Sequence, residues 1–163
     1  MIIMIIICEN NYISNLSITN GYVSELSTME LEYAYGGGGG LYVHNSNTSF
    51  TNLNVMNNYA ETKGGGIHFF NSSSNLDSIY VYDNYTRVYC NDDPYLEYCL
   101  GNGGGISVNN GNNNLLSIDI SNSFIFNNSS SRGGGVYSKN SSRCKLTNVT
   151  LEDNQAYYGG GSY

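Results

Sequence analysis

The segment VMNNYAETKGGGI, residues 55–67, decides the fold because its features recur along the chain. An apolar residue, an asparagine three positions later and a glycine triplet return in IFNNSSSRGGGV, residues 125–136, and in LEDNQAYYGGGS, residues 151–162. Further glycine runs occupy residues 36–40 and 103–105. Self-similarity at a spacing of a few tens of residues is typical of a repeat architecture.

A strand-like phrase belongs to each repeat. The five phrases begin at Ile13, Phe50, Leu76, Ile120 and Leu146, and apolar and polar residues alternate in them. A second short alternating stretch follows four of the glycine runs. Alternation with period two, rich in β-branched and aromatic residues, indicates β-strands rather than helices.

Two short strands per repeat and glycine corners predict an all-β fold, a right-handed parallel β-helix (solenoid) of about five coils. The coils occupy residues 13–163, and residues 1–12 are an apolar strand or the remnant of a signal peptide. The handedness follows the usual hand of parallel crossovers. Extra length in some repeats predicts loop insertions at 22–35, 85–102 and 109–115. We expect the chain to be part of a longer β-helix.

Stacked coils place equivalent residues above one another, about 4.8 Å apart. The alignment therefore predicts inward apolar columns, namely Leu41, Ile67, Ile106, Val136; Leu16, Leu53, Ile79, Val149; and Ile18, Val55, Val81, Ile125, Leu151. Ser123 interrupts the second column, which predicts a shift of that coil. Two asparagine ladders are expected inside the stack, namely Asn58, Asn84, Asn128, Asn154 and Asn15, Asn52, Asn122, Asn148.

The spacing Val55-x-x-Asn58 before the triplet 64–66 and Ile67 resembles the repeats of the polymorphic outer-membrane proteins of chlamydiae and of related β-helix adhesins. This chain has Val55 where that family usually has Phe, and Gly66 where it usually has Ala. The repeats are also similar to those of pectate-lyase-like β-helices. The resemblance implies a β-helix that is secreted or displayed on a cell surface.

The charge pattern excludes several classes of partner. The net charge is −7, and the six basic residues are scattered along the chain. A surface that neutralises phosphates is therefore not expected, which argues against nucleic acid and anionic membranes. The apolar run at residues 1–8 is too short to cross a bilayer, so no transmembrane segment is predicted. No cofactor and no metal site are predicted.

Cys90 and Cys99 enclose the only proline of the chain and are predicted to form a disulfide bond, with free thiols as the alternative. A disulfide would imply an oxidising compartment. The same loop holds Asp92, Asp93 and Glu97, the densest acidic cluster. Such carboxylates can act as acid and base in glycoside hydrolysis or hold Ca²⁺. A solvated loop is the preferred interpretation.

The outward column beside the glycine runs is predicted to contain Tyr42, His68, Ser107 and Tyr137. Tyr42 and Tyr137 are the predicted ligand contacts, because a tyrosine ring packs on apolar surface and keeps a hydrogen-bonding tip.

Asparagines in Asn-x-Ser/Thr motifs are potential glycosylation sites in a secreted chain. Asn47, Asn71 and Asn140 lie in predicted loops and are the predicted acceptors. Asn15 and Asn148 belong to a predicted internal ladder and are expected to escape modification.

The sequence therefore predicts a non-catalytic, secreted or cell-surface β-helix repeat protein that acts in adhesion or carbohydrate binding. Its expected partner is a carbohydrate or a cell-surface protein. A polysaccharide lyase or hydrolase and a purely structural spacer are the alternatives. Carboxylates that converge from adjacent coils would favour the enzyme.

Overall fold

The fold was analysed in a computed structural model of the chain, which describes residues 3–5, 11–24, 37–90, 99–111, 113, 115–139 and 142–163. These residues form β-strands and turns and contain no helix, so the predicted all-β class is confirmed for them. Accordingly, none of these residues forms a helix able to cross a membrane.

The strands follow one another in a regular succession. In chain order they are β1 (Ile3–Ile5), β2 (Asn11–Thr19), β3 (Tyr22–Val23), β4 (Leu41–His44), β5 (Asn47–Met56), β6 (Tyr59–Ala60), β7 (Ile67–Phe70), β8 (Ser73–Asp77), β9 (Tyr80–Tyr82), β10 (Tyr85–Thr86), β11 (Tyr89–Cys90), β12 (Cys99–Leu100), β13 (Ile106–Asn109), β14 (Ser117–Phe126), β15 (Ser129–Arg132), β16 (Val136–Lys139), β17 (Arg143–Glu152) and β18 (Gln155–Tyr158).

Three parallel sheets contain all of these strands except β11 and β12. Sheet A runs β2-β5-β8-β14-β17, with β9 continuing β8; sheet B runs β3-β6-β10-β15-β18; and sheet C runs β1-β4-β7-β13-β16. The chain visits the sheets in turn and returns to each of them one strand further along. This arrangement is compatible with a parallel β-helix, and we call each round of the three sheets a repeat.

Strand alternation sends every second side chain of sheet A into the core. The register pairs Leu53 with Leu16 and Val55 with Val81, as the alignment predicted. Leu53, Val55 and Val81 are almost fully buried. They pack in one hydrophobic cluster with Ile67 of sheet C and its neighbours. Burial of these apolar columns is the main stabilising contribution that one repeat makes to the next.

The expected shift at Ser123 is wrong. Ser123 lies in register opposite Val149, and its side chain is buried. The Ser123 hydroxyl accepts a hydrogen bond of 3.1 Å from the Ile79 backbone N–H and donates one to the Ser121 carbonyl oxygen. A buried hydroxyl that is satisfied in this way fits an inward position without displacing the strand.

The first asparagine ladder is confirmed as an internal feature. Asn58, Asn84 and Asn128 are fully buried. Backbone N–H groups donate from Asn58 to the Asn84 side-chain oxygen at 3.1 Å, from Asn84 to Asn128 at 3.0 Å and from Asn128 to Asn154 at 3.0 Å. Each amide thus satisfies the polar backbone of an adjacent repeat at the corner between sheets A and B.

The second asparagine ladder was predicted to be internal, and this prediction is wrong. Asn15, Asn52, Asn122 and Asn148 are exposed and have positive φ angles of 56°, 53°, 47° and 54°. They mark an outward bend within the strands of sheet A, where asparagine tolerates the left-handed conformation. The Asn148 side-chain amide donates to the Asn122 oxygen at 2.9 Å, so the ladder exists on the surface.

The glycine runs form the corner between sheets B and C. Gly64 has a φ of 57°, a conformation that glycine adopts without strain. At Gly65, a Cβ atom would lie 2.5 Å from the backbone oxygen of Gly104 in the next repeat. Glycine is therefore required here by the close approach of adjacent repeats.

Strands occupy the edges of the predicted insertions. Tyr22 and Tyr85 were assigned to insertions, but they lie in β3 and β10, where each pairs with β6. Asn109 belongs to β13 rather than to the insertion at 109–115. Residues 3–5 form a strand that pairs in parallel with β4. Hydrogen bonding to the adjacent repeat continues these strands beyond the sequence-predicted boundaries.

Candidate functional site

The outward column of sheet C is enclosed. Tyr42 and Tyr137, the predicted ligand contacts, are only 9% and 7% exposed. The Tyr42 ring stacks on the His68 ring at 5.4 Å, and the Tyr137 ring stacks on Tyr163 at 5.8 Å. These contacts occupy ring faces that a ligand would need, whereas aromatic rings on the other two sheets are more exposed.

His68 does not supply an acid or base near neutral pH. Burial lowers the pKa of His68 to about 3, and the positive charge of Lys63 contributes in the same direction. Its Nδ1 lies 3.3 Å from the Ser107 carbonyl oxygen. His68 is thus a neutral ring packed in the column.

The outer face of sheet A carries a patch of four aromatic rings, which we call the four-ring patch: Tyr80, Tyr82, Phe124 and Phe126. Tyr80 stacks on Phe124 with ring centroids 5.3 Å apart and planes 7° apart. Tyr82 stacks on Phe126 at 4.8 Å and 3°. Tyr80 and Phe124 are 42% and 44% exposed, and the other two rings are half-buried.

The local sequence explains why these rings point outward. In β9, Tyr80 and Tyr82 flank the buried Val81, and in β14 the rings at 124 and 126 flank the buried Ile125. Because successive side chains of a strand point to opposite faces, burying the aliphatic residue exposes the aromatic ones. Parallel register then stacks the rings between neighbouring strands.

Smaller or polar side chains border the four-ring patch. On the neighbouring strand β5, Asn54 lies opposite Tyr80 and Met56 lies opposite Tyr82. The Tyr82 hydroxyl contacts the Met56 sulfur. On the other side, in β17, Thr150 lies opposite Phe124 and Glu152 lies opposite Phe126. Each aromatic stack is therefore two rings long and ends at a shorter or flexible side chain.

A second group of rings, the tyrosine column of Tyr22, Tyr59 and Tyr85, lies on sheet B. Their centroids are 5.0 and 4.9 Å apart. The Tyr59 hydroxyl donates to Glu61 at 2.9 Å, and Glu61 also accepts a hydrogen bond from Arg87 at 2.6 Å. Tyr22 and Tyr85 are about half exposed, so their rings are accessible on both sides of Tyr59.

The polar contacts of the tyrosine column fix its protonation states. Burial and the hydrogen bond to Glu61 raise the pKa of Tyr59 to about 12. The hydrogen bond from Arg87 holds the pKa of the Glu61 carboxyl below its ordinary value. Tyr59 is therefore a neutral donor, and Glu61 is a charged acceptor that is already engaged by two partners.

These aromatic surfaces were not predicted from the sequence, although the aligned phrases contain their signal. The outward positions of the third and fourth phrases hold Tyr80, Tyr82, Phe124 and Phe126, whereas the equivalent positions of the first and last hold mostly Ser or Thr. An excess of rings at matching outward positions could have identified the four-ring patch.

The two predicted disulfide cysteines lie opposite one another. Strands β11 and β12 pair in antiparallel fashion, with Cys90 directly across from Cys99. This backbone arrangement is one that a cross-strand disulfide needs. The sulfur atoms are outside the described part of the structure, so the disulfide stays a prediction.

The other predicted site residues are placed in part. Asn47 and Asn71 are exposed, and the Asn71 amide donates to the Asn45 oxygen at 2.6 Å. Asn140 and the acidic loop with Asp92, Asp93 and Glu97 lie outside the described residues. Exposure of Asn15 and Asn148 also removes the reason given for excluding them as glycosylation acceptors. Glycosylation itself remains a prediction.

Two carboxylates lie on neighbouring strands of sheet A. Asp77 pairs with Ser121 of β14, and Asp119 lies two residues earlier on that strand. Asp77 accepts hydrogen bonds from Ser121 at 2.7 Å, Asn122 at 2.8 Å and Ser78 at 3.0 Å. These bonds hold the pKa of Asp77 below its ordinary value.

Within the described part of the chain, no group of three or more His, Cys, Asp or Glu side chains is arranged to hold a metal ion. No protein-family model matches the chain, and no curated protein or solved structure matches it either. Functional inference therefore depends on the chemistry of the surface.

Proposed function

We propose that the three sheets form a right-handed parallel β-helix of about five coils, and that the chain is a non-catalytic carbohydrate-binding protein, secreted or on a cell surface. The observation that carries the proposal is the four-ring patch on sheet A. The usual right-handedness of parallel crossovers supports the assigned hand.

The chemistry of the four-ring patch suits a sugar. A pyranose ring has an apolar face of C–H groups and a rim of hydroxyls, and it packs on an aromatic ring while its hydroxyls remain hydrogen-bonded. Tyr80 and Phe124 are the more exposed rings and offer this apolar surface. Clusters of exposed apolar side chains on a soluble protein often mark interaction sites.

The ends of the ring stacks suggest where a sugar packs. The column of Phe124 continues with Thr150, whose side chain is too small to cover a phenyl ring. Glu152 lies on the same strand as Thr150, opposite Phe126, and its side chain is exposed. A pyranose ring can extend the stack over Phe124 while its hydroxyls donate to the Glu152 carboxylate.

A polysaccharide-cleaving enzyme is the second candidate, because Asp77 and Asp119 lie on adjacent strands. Glycoside hydrolysis generally needs one carboxyl group whose pKa is raised, so that it can protonate the leaving group. The pKa of Asp77 is lowered by its three hydrogen bonds, which makes this residue unsuited to act as the acid. The lowered pKa of Asp77 therefore argues against hydrolysis with Asp77 as the acid, and we favour binding.

Two further features support a location outside the cell. The glycine-triplet repeats resemble those of chlamydial surface proteins and related adhesins. The opposed Cys90 and Cys99 suit a disulfide, which persists in oxidising compartments. A carbohydrate, free or attached to a cell-surface protein, is the partner we propose.

The test is an array of immobilised glycans probed with the wild-type protein, run beside a polysaccharide depolymerisation assay with Ca²⁺. We expect binding to at least one neutral glycan without turnover. Turnover that is abolished by Asp119→Asn would instead establish the enzyme, and the absence of both binding and turnover would favour a structural spacer.

A further inference from the structure

A hollow on sheet B lies next to the end of the tyrosine column. It has a volume of about 210 Å³ and is shallow, with most of its surface open to solvent. Its lining residues, which define the hollow, are Val88, Ser129, Ser130, Gln155, Ala156 and Tyr157. The four-ring patch contributes no side chain to it.

The register of the repeats explains the hollow. Tyr85 pairs with Ser129, and Ser129 pairs with Gln155, so the column that contains three tyrosines continues with a small side chain. The first three repeats have a tyrosine at this position, whereas the fourth has Ser129, whose side chain is only a hydroxymethyl group. The hollow is thus next to the position at which the tyrosine column stops.

The walls of the hollow combine apolar surface and hydrogen-bonding groups. Val88 and Tyr157 are 48% and 67% exposed and supply apolar area. The Ser130 hydroxyl donates to the Arg132 carbonyl oxygen at 2.8 Å and is already satisfied. The Ser129 hydroxyl and the Gln155 carboxamide offer both donors and acceptors.

We propose that the hollow is a carbohydrate subsite that takes one neutral pyranose unit, with its apolar face against Tyr157 and its hydroxyls bonded to Ser129 and Gln155. The sugar ring lies next to Ser129, the residue at which the tyrosine column stops. The ligand class rests on the proposed function, but the site and its residues are separate from the four-ring patch.

Size and charge both favour this occupant. Sites for drug-sized ligands have volumes of roughly 300–1,000 Å³, so a hollow of about 210 Å³ suits a single ring. Among the residues that the structure describes, no charged side chain lines the hollow, and the chain has a net charge of −7. An anionic sugar would lack a cationic partner in the lining and would be repelled by the protein as a whole.

The experiment records amide chemical shifts of the ¹⁵N-labelled protein during titration with the methyl glycosides of glucose, galactose, mannose and N-acetylglucosamine. We expect at least one glycoside to shift Ser129, Gln155 and Tyr157. Two variants separate the surfaces. Ser129→Tyr fills the hollow with a ring at an outward position that holds tyrosine in other repeats, and Phe124→Ala alters only the four-ring patch.

The Ser129→Tyr variant should keep the wild-type fold and lose at least tenfold in affinity for the shifted glycoside, whereas Phe124→Ala should keep these shifts. If glycosides shift only residues around Phe124, the proposed function stands and the subsite is wrong. If Ser129→Tyr binds as tightly as wild type, the subsite is also wrong. If no glycoside at millimolar concentration shifts any residue, and the glycan array is also negative, both proposals fail.

Discussion

Asn84 shows how one buried side chain connects three repeats. Its side-chain amide donates to the Val55 carbonyl oxygen at 2.8 Å, and its side-chain oxygen accepts from the Asn58 side chain at 2.9 Å. Its backbone N–H donates in turn to Asn128 in the following repeat. A ladder of this kind satisfies corner backbone groups that water cannot reach.

Replacing Asn84 by alanine is therefore expected to destabilise the fold by about 2–4 kcal/mol, because several buried polar groups lose their partners. Urea denaturation followed by circular dichroism measures the difference. Asn75→Ala is the matched control, since Asn75 is exposed on the outer face of β8, and it should change stability by less than about 0.5 kcal/mol. Equal stability of the two variants would contradict an internal ladder.

His68 makes the stability of the fold depend on pH. Its pKa is about 3 in the folded state, below the ordinary value of 6.5. The unfolded chain therefore binds a proton at a higher pH than the folded chain. The stabilising contribution is complete above about pH 6.5 and is lost as the pH falls toward 3, by up to about 1.4 kcal/mol per pH unit.

The comparison of wild type with His68→Phe isolates this effect, because phenylalanine keeps a ring beside Tyr42 but cannot be protonated. Urea denaturation at pH 7, 6 and 5 should show the stability of wild type falling more steeply than that of the variant. Parallel loss of stability in the two proteins would mean that His68 titrates normally in the folded state.

At the scale of single strands, alternation predicted which side chains are buried. Val81 was placed in an inward column from the aligned phrases, and it is fully buried. The same reasoning did not reveal what covers the outer face of a strand. Tyr42 points away from the core, yet it is only 9% exposed, and the rings of His68 in the next repeat and His44 in its own strand stack on it. These contacts depend on side-chain packing that periodicity does not encode.

The asparagine ladders show the same limit. Both ladders were recognised from matching positions, and asparagine at a bend or corner is predictable from its tolerance of positive φ. Asn122 itself has a positive φ and lies outside, whereas Asn84 lies inside and follows Asp83, the residue of that corner with a positive φ. An alignment of repeats does not reveal which asparagine adopts the left-handed conformation.

Strand β9 offers a direct test of the register. Val81→Asp places an unpaired charge among buried apolar side chains, so we expect it to unfold the chain. Asn54→Asp puts the same carboxyl group on the outer face of β5 and should leave the far-UV circular dichroism and melting temperature nearly unchanged. A folded Val81→Asp variant with wild-type melting would show that the assigned faces are wrong.

The hairpin of β11 and β12 tests the predicted disulfide. Mass spectrometry of alkylated, non-reduced protein is expected to find Cys90 joined to Cys99, and reduction should lower stability by roughly 2–3 kcal/mol. Cys144 serves as the internal control. Burial raises the pKa of its thiol to about 11, so it should react only after unfolding. Free thiols at both hairpin positions would remove this support for secretion.

At the scale of the whole molecule, equivalent positions of adjacent repeats lie side by side and form continuous surfaces. A ring at one outward position becomes a stack when the next strand carries a ring in register, as Tyr80 and Phe124 do. The low content of charged residues, 12%, leaves these faces to tyrosine, asparagine and serine. Such a surface suits an uncharged, hydroxyl-rich ligand, and the four-ring patch contributes apolar area to it.

The most direct measurement is calorimetric titration of the strongest array glycan into the wild-type protein and into a Tyr80→Ser, Phe124→Ser double variant. Tyr22→Ser, on sheet B, is the matched control. We expect the double variant to lose at least tenfold in affinity while the control binds as wild type does. Unchanged affinity in a folded double variant would contradict carbohydrate binding by the four-ring patch.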